Sequence, residues 1–337
     1  MYSPRSGIAP FPHLSGEDAR PAGRRKKGHC SLKCVRNLGM QKPLSPPPNV
    51  TDTALVFEGG AMRAVFSAAM VQALLEADVN FGWVCGNSAA TSHVAYYIAR
   101  DPERMRATFT TFPSDPNFGG FRTWMRGDGF FNAQYIYGAA GIPGHPMELD
   151  WNYFQRSPVQ YRISGFNART GETKHWGRED IHTPQEFFIR AQASSTLPFF
   201  MPPVDIDGDP WFDGAFGPTG GIPIDSAIQD GFEKFLVIQT RTRSYRKSAG
   251  HVDWGVQRMF RKYPALVDSI ITRHNRYNQV REQIFEMERQ GRAYVFAPRS
   301  LRITNGDRNI RRLLSAYESG LAQAREEMPA IKKFLGL

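Results

Sequence analysis

Two stretches decide the fold: Thr53-Ala-Leu-Val-Phe-Glu-Gly-Gly-Ala-Met-Arg63 and its echo, Phe81-Gly-Trp-Val-Cys-Gly-Asn-Ser-Ala-Ala90. Thr53 to Phe57 is a short apolar run that stops at Glu58-Gly59-Gly60, the pattern of a buried strand entering a glycine turn. Val65, Ala68, Ala69, Val71, Leu74 and Leu75 then spread a broad apolar face at helical spacing. Phe81 to Cys85 is a second apolar run, ended by Gly86, and residues 89–99 are again helix-like. Strand, turn, helix, strand, turn, helix in so short a span predicts a parallel sheet with right-handed crossovers, hence an α/β fold covered on both faces.

Further along, Tyr161–Phe166 and Thr173–Trp176 flank Asn167-Ala-Arg-Thr-Gly-Glu172 and read as a hairpin. Pro184 to Ser195 has helical spacing, and Val204–Ile206 and Trp211-Phe212 enclose a tight turn at Asp207-Gly-Asp-Pro210. Phe235 to Thr240 is another core strand. Beyond Trp254 the pattern is helical to about Gln290, then gives a strand at Ala293–Ala297 and a closing helix from about Asp307. Residues 109–154 hold twelve aromatic side chains without a clean period. They suit either a cap over an acyl-binding cleft or irregular packing on the flank of the sheet.

Composition bounds the class. With 337 residues, 41% of them hydrophobic, the chain is long enough for one large core or two smaller ones, and collagen-like, coiled-coil and wholly disordered readings are excluded. The net charge of +10 hints at a polyanion, but residues 1–50 hold nine Lys or Arg against Glu17 and Asp18. That segment also carries eight prolines and no apolar period, so it reads as a disordered basic tail on a nearly neutral body. No continuous apolar stretch follows its basic residues, so no secretory signal is expected, and no spanning helix either. His29, Cys30 and Cys34 lack the further ligands a metal site needs. The basic groups Arg241, Arg243, Arg246, Lys247 and Arg308, Arg311, Arg312 come with no nucleic-acid module, which leaves a solvated face or contact with lipid headgroups.

Gly86-Asn87-Ser88-Ala89-Ala90 sits where a strand meets a helix, with small residues on both sides of the serine, as a sharp nucleophile elbow requires. A Gly-x-Ser before a helix is also an ordinary N-cap. In a parallel sheet, however, the Gly59-Gly60 turn and the Ser88 turn emerge side by side at the carboxyl edge. Glycine-rich backbone ahead of a helix N-terminus presents free N–H groups to a developing oxyanion. For a base, His93 lies one turn beyond the elbow and reads as a surface or packing residue. Asp213, in Trp211-Phe-Asp-Gly-Ala215, is a carboxylate at a strand end that takes a serine proton directly if the two are in reach; its plainer reading is a turn.

Together these residues resemble the patatin-like phospholipase family, in its bacterial branch. The resemblance rests on Glu58-Gly-Gly-Ala-Met-Arg63, Gly86-Asn-Ser-Ala-Ala90, Asp213-Gly-Ala215 and the approach Arg190-Ala-Gln-Ala-Ser-Ser-Thr-Leu-Pro-Phe-Phe200, in that order, and extends from about residue 53 to the C-terminus. It implies a three-layer α/β/α fold with a mainly parallel sheet and hydrolysis of lipid acyl esters by a Ser-Asp dyad. Ser88 would be the nucleophile, Asp213 the general base, and Gly59, Gly60, Ala61 and Arg63 the oxyanion loop, with Gly86 and Ala90 shaping the elbow. No cofactor or metal is called for. The corresponding division is a tail over 1–50, a catalytic domain over 51–243 and a mainly helical extension over 244–337. Alanine replaces the family's glycine at 61, 64 and 90; it keeps its N–H but is strained by about 1 kcal/mol wherever the backbone needs positive φ. Two rival readings stand beside this one: an esterase triad with His251 or His274 following Asp213, and a catalytically weak or silent lipid-binding protein. The expected address is cytoplasmic with peripheral contact to an anionic membrane; no nucleic-acid partner is expected, and oligomeric state is open.

Overall fold

The computed structural model describes residues 44–126, 130–139, 141–142, 144–249 and 254–337. The basic tail through residue 43, with His29, Cys30 and Cys34, lies outside the described residues, as does His251. The described residues fall within one compact unit, Lys42–Leu337.

The strands are β1 (Thr53–Phe57), β2 (Trp83–Gly86), β3 (Gln160–Asn167), β4 (Thr173–Trp176), β5 (Val204–Ile206), β6 (Asp209–Asp213), β7 (Lys234–Ile238) and β8 (Ala293–Phe296). They form one sheet in the order β5-β6-β3-β2-β1-β7-β8, with β4 beside β3. β1, β2, β3, β7 and β8 pair in parallel, while β4, β5 and β6 add an antiparallel flank. The helices are α1 (Ala64–Glu76), α2 (Thr91–Ile98), α3 (Pro102–Thr110), α4 (Phe121–Met125), α5 (Ala133–Ala139), α6 (Trp151–Arg156), α7 (Pro184–Ser194), α8 (Ile224–Gln229), α9 (Trp254–Met259), α10 (Pro264–Arg289) and α11 (Ile310–Leu335).

The three layers follow from strand alternation. Leu55 and Phe57 of β1 face a core shared with α1, α2 and α11, whereas Ala54 and Val56 face a second core built with α8 and α10. All of β1 is buried, which is why it reads as an apolar run rather than as an alternating one. The segment beyond residue 243 supplies β8 to the sheet as well as α10 and α11 to its two faces.

One register detail positions the site. β2 ends opposite Ile163 of β3, where Gly86 is its last partner. β4 occupies the other edge of β3, pairing Ile163 with Trp176, so β6 must approach on the edge that β2 has just vacated. There Asp213, the last residue of β6, pairs with Gly165, only two residues beyond Ile163. Two strands running in opposite directions therefore end nose to nose, one carrying the Ser88 turn and the other Asp213. Gly214 follows because a Cβ there would fall 2.5 Å from the Ser164 carbonyl oxygen.

Candidate active site

Ser88 adopts φ +55°, a left-handed conformation that a non-glycine residue holds only when its surroundings enforce it. Here both of its backbone groups are tied by side-chain hydroxyls. Its N–H donates to Ser194 Oγ at 3.0 Å, and its carbonyl accepts from Thr91 Oγ1 at 2.9 Å. Ser194 is the last residue of α7, whose start is fixed by a capping box between Thr183 and Glu186 with Pro184 at the first helical position. Gly86 makes the turn sterically feasible, since a Cβ there would lie 2.7 Å from the Ala90 carbonyl oxygen. Ala90 itself sits at φ −74°, where alanine is unstrained.

The Ser88 side chain lies beside the Asp213 carboxylate and favours its ionised form. Asp213 is 1% exposed; its N–H donates to the Thr196 carbonyl at 2.9 Å, and its Oδ1 accepts the Ala215 N–H at 2.8 Å. Burial pushes its carboxyl up to about 6, against the opposing pull of Arg273, of the neighbouring Ser88 side chain and of the Ala215 N–H.

The turn after β1 lies against this pair, as the parallel register requires. A Cβ on Gly59 would come within 2.9 Å of Ser88 Cβ and of the Asn87 carbonyl oxygen, so glycine is needed for the two turns to touch. The expectation that Gly59 donates to an oxyanion is corrected: its N–H is taken by the Gly221 carbonyl at 3.1 Å. Among the described residues the N–H groups of Gly60 and Ala61 have no backbone partner, and they are the donors left for the site. Ala61 does sit at positive φ, +47°, whereas Ala64 at −63° is helical and relaxed. Arg63 turns away from the serine: its guanidinium lies among Arg241, Glu58, Tyr245 and Tyr277, while its N–H closes the turn onto Gly60 O at 3.1 Å.

An apolar cavity of about 80 Å³ opens at Ser88, walled by Phe109, Phe118, Phe131, Ile136, Tyr137 and Leu197 among others. A second hollow of about 30 Å³ shares Ser92, Thr108, Ile136 and Tyr137 with it and continues toward Phe187 and Ala191. Part of the aromatic stretch 109–154 thus forms the roof of a cleft over the serine. Tyr137, whose hydroxyl is hydrogen-bonded to Ser195 Oγ and is pushed up by burial, carries no motif in the sequence. Ser194, which braces Ser88 from 106 residues away, lies in the Arg190–Phe200 stretch of the family resemblance, but nothing in that stretch marks its role.

No histidine lines the cavity among the described residues. His93 is fully buried between the rings of Phe57 and Phe109, with Nε2 against Ser67 Oγ and the Ala64 carbonyl, and burial holds it down at about 4. It packs as a neutral ring. His274, on α10, has Nδ1 against the Ile271 carbonyl at 3.0 Å.

A family profile described as patatin-like phospholipase matches residues 55–228, just over half of the chain. The chain belongs to the patatin-like phospholipase family. Within that patatin-like span lie most of β1, all of β2 to β6, both turns and Asp213, whereas Arg241, Tyr245, Arg273 and Tyr277 lie beyond it. A second profile, a domain of unknown function (DUF6363), matches residues 263–336, which include α10, β8 and α11. The uncharacterized protein YjjU of Escherichia coli (strain K12) is similar to this chain at 26% identity over 218 residues, which is 60% of this chain and 56% of YjjU. The structure of VipD from Legionella pneumophila superposes with a TM-score of 0.43 at 12% identity, covering 83% of this chain and 67% of that one.

Proposed function

We propose that this patatin-like protein is a serine acyl hydrolase acting on lipid esters through Ser88 and Asp213. The observation that carries the reading is the placement of Ser88, on a left-handed elbow that opens into an apolar cavity, beside the buried Asp213 carboxylate at the end of the opposing strand. Asp213 accepts the hydroxyl proton as Ser88 Oγ attacks the ester carbonyl. The Gly60 and Ala61 N–H groups meet the oxygen that becomes negative, at the N-terminal side of α1, where the helix dipole adds to them. Asp213 returns its proton to the departing alcohol, and the acyl group stays on Ser88 until a water, deprotonated by the same carboxylate, releases it. The cleft roofed by Phe109, Phe118 and Phe131 suits the acyl chain.

Contact with a membrane belongs to the same reading. Leu197 and Met201 line the cavity, and between them Phe199 and Phe200 are 45% and 49% exposed. Phe199 packs its edge on Phe260, beside exposed Met259, Arg261 and Lys262. An apolar rim flanked by cations suits the surface of an anionic bilayer. No helix among the described residues is long and apolar enough to cross a membrane.

The deciding experiment is initial-rate hydrolysis of p-nitrophenyl butyrate and of short-chain phospholipids by wild type, Ser88→Ala and Asp213→Asn. Both variants are expected to lose about 10³-fold or more in kcat/KM. Equal rates in all three proteins would remove the dyad. A wild type inert toward every ester, yet binding vesicles, would favour the silent lipid-binding reading.

A further inference from the structure

We propose that the crevice behind the oxyanion turn, between the carboxyl ends of β1 and β7 and the flank of α10, binds a phosphoryl group through Arg63, Arg241, Lys247 and Arg273. That this group belongs to the lipid rests on the hydrolase reading above; that the crevice takes a phosphoryl group does not.

Topology puts a ligand site here. The chain leaves β1 toward β2 on one side and leaves β7 toward β8 on the other, so the β1/β7 boundary is where the winding of the sheet reverses. At such a switch the loops part and leave a cleft beyond the strand ends. Glu58 and Gly59 continue β1 into this cleft, and Thr240 and Arg241 follow β7, with Thr240 Oγ1 bonded to the Gly59 carbonyl at 3.2 Å. Tyr277 of α10 closes the far side, donating to Glu58 Oε1 at 2.6 Å.

The charges here do not balance. The other basic side chains of this region are accounted for: Arg243 pairs with Glu288, Arg246 with Glu282, and Arg281 gives its guanidinium to the Tyr245 and Thr242 carbonyls and to Gln239. Arg63, Arg241, Lys247 and Arg273 form no carboxylate ion pair among the described residues, and Arg63 Nε is buried without any partner. They sit together: Arg241 lies 4.2 Å above the Tyr245 ring, Lys247 Nζ is 5.8 Å from the Tyr277 ring, and Arg63 and Arg273 both feel Glu58. Two acids neighbour the four cations: Asp213, beside Arg273, and Glu58, which already gives one oxygen to Tyr277 and the other to the Thr240 N–H at 2.6 Å, so positive charge is left in excess. All four residues are half-buried. Burial first, and then the repulsion of Arg273, Arg63 and Arg241, hold the Lys247 amine down to about 8, as expected for a cation waiting for an anion.

Position relative to Ser88 gives the ligand its shape. The apolar cavity lies on the side of the oxyanion turn that carries Ala61 and Met62, and the cationic crevice on the side of Arg63. Arg273 bridges the two, with its Nη2 in contact range of Gly221, whose carbonyl holds the Gly59 N–H. An ester bound at Ser88 with its acyl chain in the cavity would carry a phosphorylated headgroup toward these cations. Guanidinium groups and an ammonium are well suited to phosphoryl oxygens.

The test is calorimetric binding to Ser88→Ala protein, so that turnover plays no part, at low salt and pH 7. The probes are inorganic phosphate, dihexanoyl phosphatidate and uncharged dihexanoylglycerol. Expected is phosphatidate binding at least tenfold tighter than dihexanoylglycerol and competed by phosphate. Adding Arg241→Gln and Lys247→Gln should weaken phosphate and phosphatidate tenfold or more, while Arg241→Lys with Lys247→Arg retains them within about threefold. Should the charge-removing pair not fold, as judged by its melt, Lys247→Met alone takes its place with at least a threefold loss expected. Phosphate binding without extra affinity for phosphatidate supports the crevice and assigns it a free anion rather than a headgroup. Affinities unmoved by charge removal, or no preference for phosphatidate and no binding of phosphate, overturn the proposal. Failure of the wild type to hydrolyse esters would leave this result standing and count only against the hydrolase reading.

Discussion

The turns after β1 and β2 are two versions of one device. Each leaves a buried parallel strand, passes a glycine whose Cβ would clash, places one non-glycine residue at positive φ, and runs through a short 3-10 segment into a helix. Ala61 at +47° and Ser88 at +55° are the equivalent residues. What differs is how each strained residue is held and what it offers. Ser88 is tied at both backbone groups by hydroxyls and presents a side chain; Ala61 has no backbone partner on its N–H among the described residues and presents that N–H. The same bend thus presents a hydroxyl at one strand end and, at its neighbour, a backbone N–H, the two groups that the proposed hydrolysis needs. Strain that is over-determined at the Ser88 turn is left open at the Ala61 turn.

The comparison breaks most visibly where the turns touch. Gly59→Ala would put a methyl 2.9 Å from Ser88 Cβ and from a backbone carbonyl that has little room to move. Separation of the donors from the elbow should cost about 10²-fold in kcat/KM, similar to the loss of one oxyanion donor, with the acyl-binding cavity intact. Stopped-flow measurement of acylation by a p-nitrophenyl ester checks it, and an unchanged rate would show that the turns do not act as a unit.

A pH profile sharpens the roles next. Asp213 must be ionised to accept the Ser88 proton, so with its carboxyl raised to about 6 the rate should climb through that pH and level off above about 7. The sign for stability is the opposite. Between the ordinary value of 3.8 and about 6 the folded protein holds this proton while the unfolded chain has released it, so Asp213's contribution to stability falls as pH rises through that window. Asp213→Asn should therefore melt above wild type at pH 7.5, by on the order of 2 kcal/mol, with the gap narrowing by pH 5. A gap that widened toward acid would contradict the assignment of burial as the cause.

These contrasts also explain what was legible in the sequence. β1 and β2 are buried and announce themselves as apolar runs ended by glycine, α1 and α2 as broad apolar faces at helical spacing, and the hairpin of β3 and β4 carries its own turn chemistry. Ser88 and Asp213 were readable because each ends a strand. Their partners were not: Ser194 acts through its hydroxyl on a residue 106 positions away, Tyr137 lies in an aromatic stretch without a period, and Arg273 reaches the site from a helix that reads only as amphipathic. Such contacts depend on register, here on β6 filling the edge that β2 leaves, and register leaves little local trace. The free N–H at Ala61 and the occupied one at Gly59 were likewise indistinguishable until the position of Gly221 was known.

The smallest effect separates the three alanines that stand where the family has glycine. At Ala64 and Ala90 the backbone is helical, φ −63° and −74°, so glycine there should lose about 0.5–1 kcal/mol through greater freedom of the unfolded chain and gain nothing. At Ala61, φ +47°, glycine relieves strain of about 1 kcal/mol while incurring that same entropic loss, so the two nearly cancel. Denaturant melts of the three single variants should therefore show Ala61→Gly within about 0.5 kcal/mol of wild type and the other two below it. Equal destabilisation at all three positions would mean that Ala61 is unstrained. The turn after β1 would then owe its shape to the sheet edge alone, and its likeness to the Ser88 elbow would be one of outline rather than of stored strain.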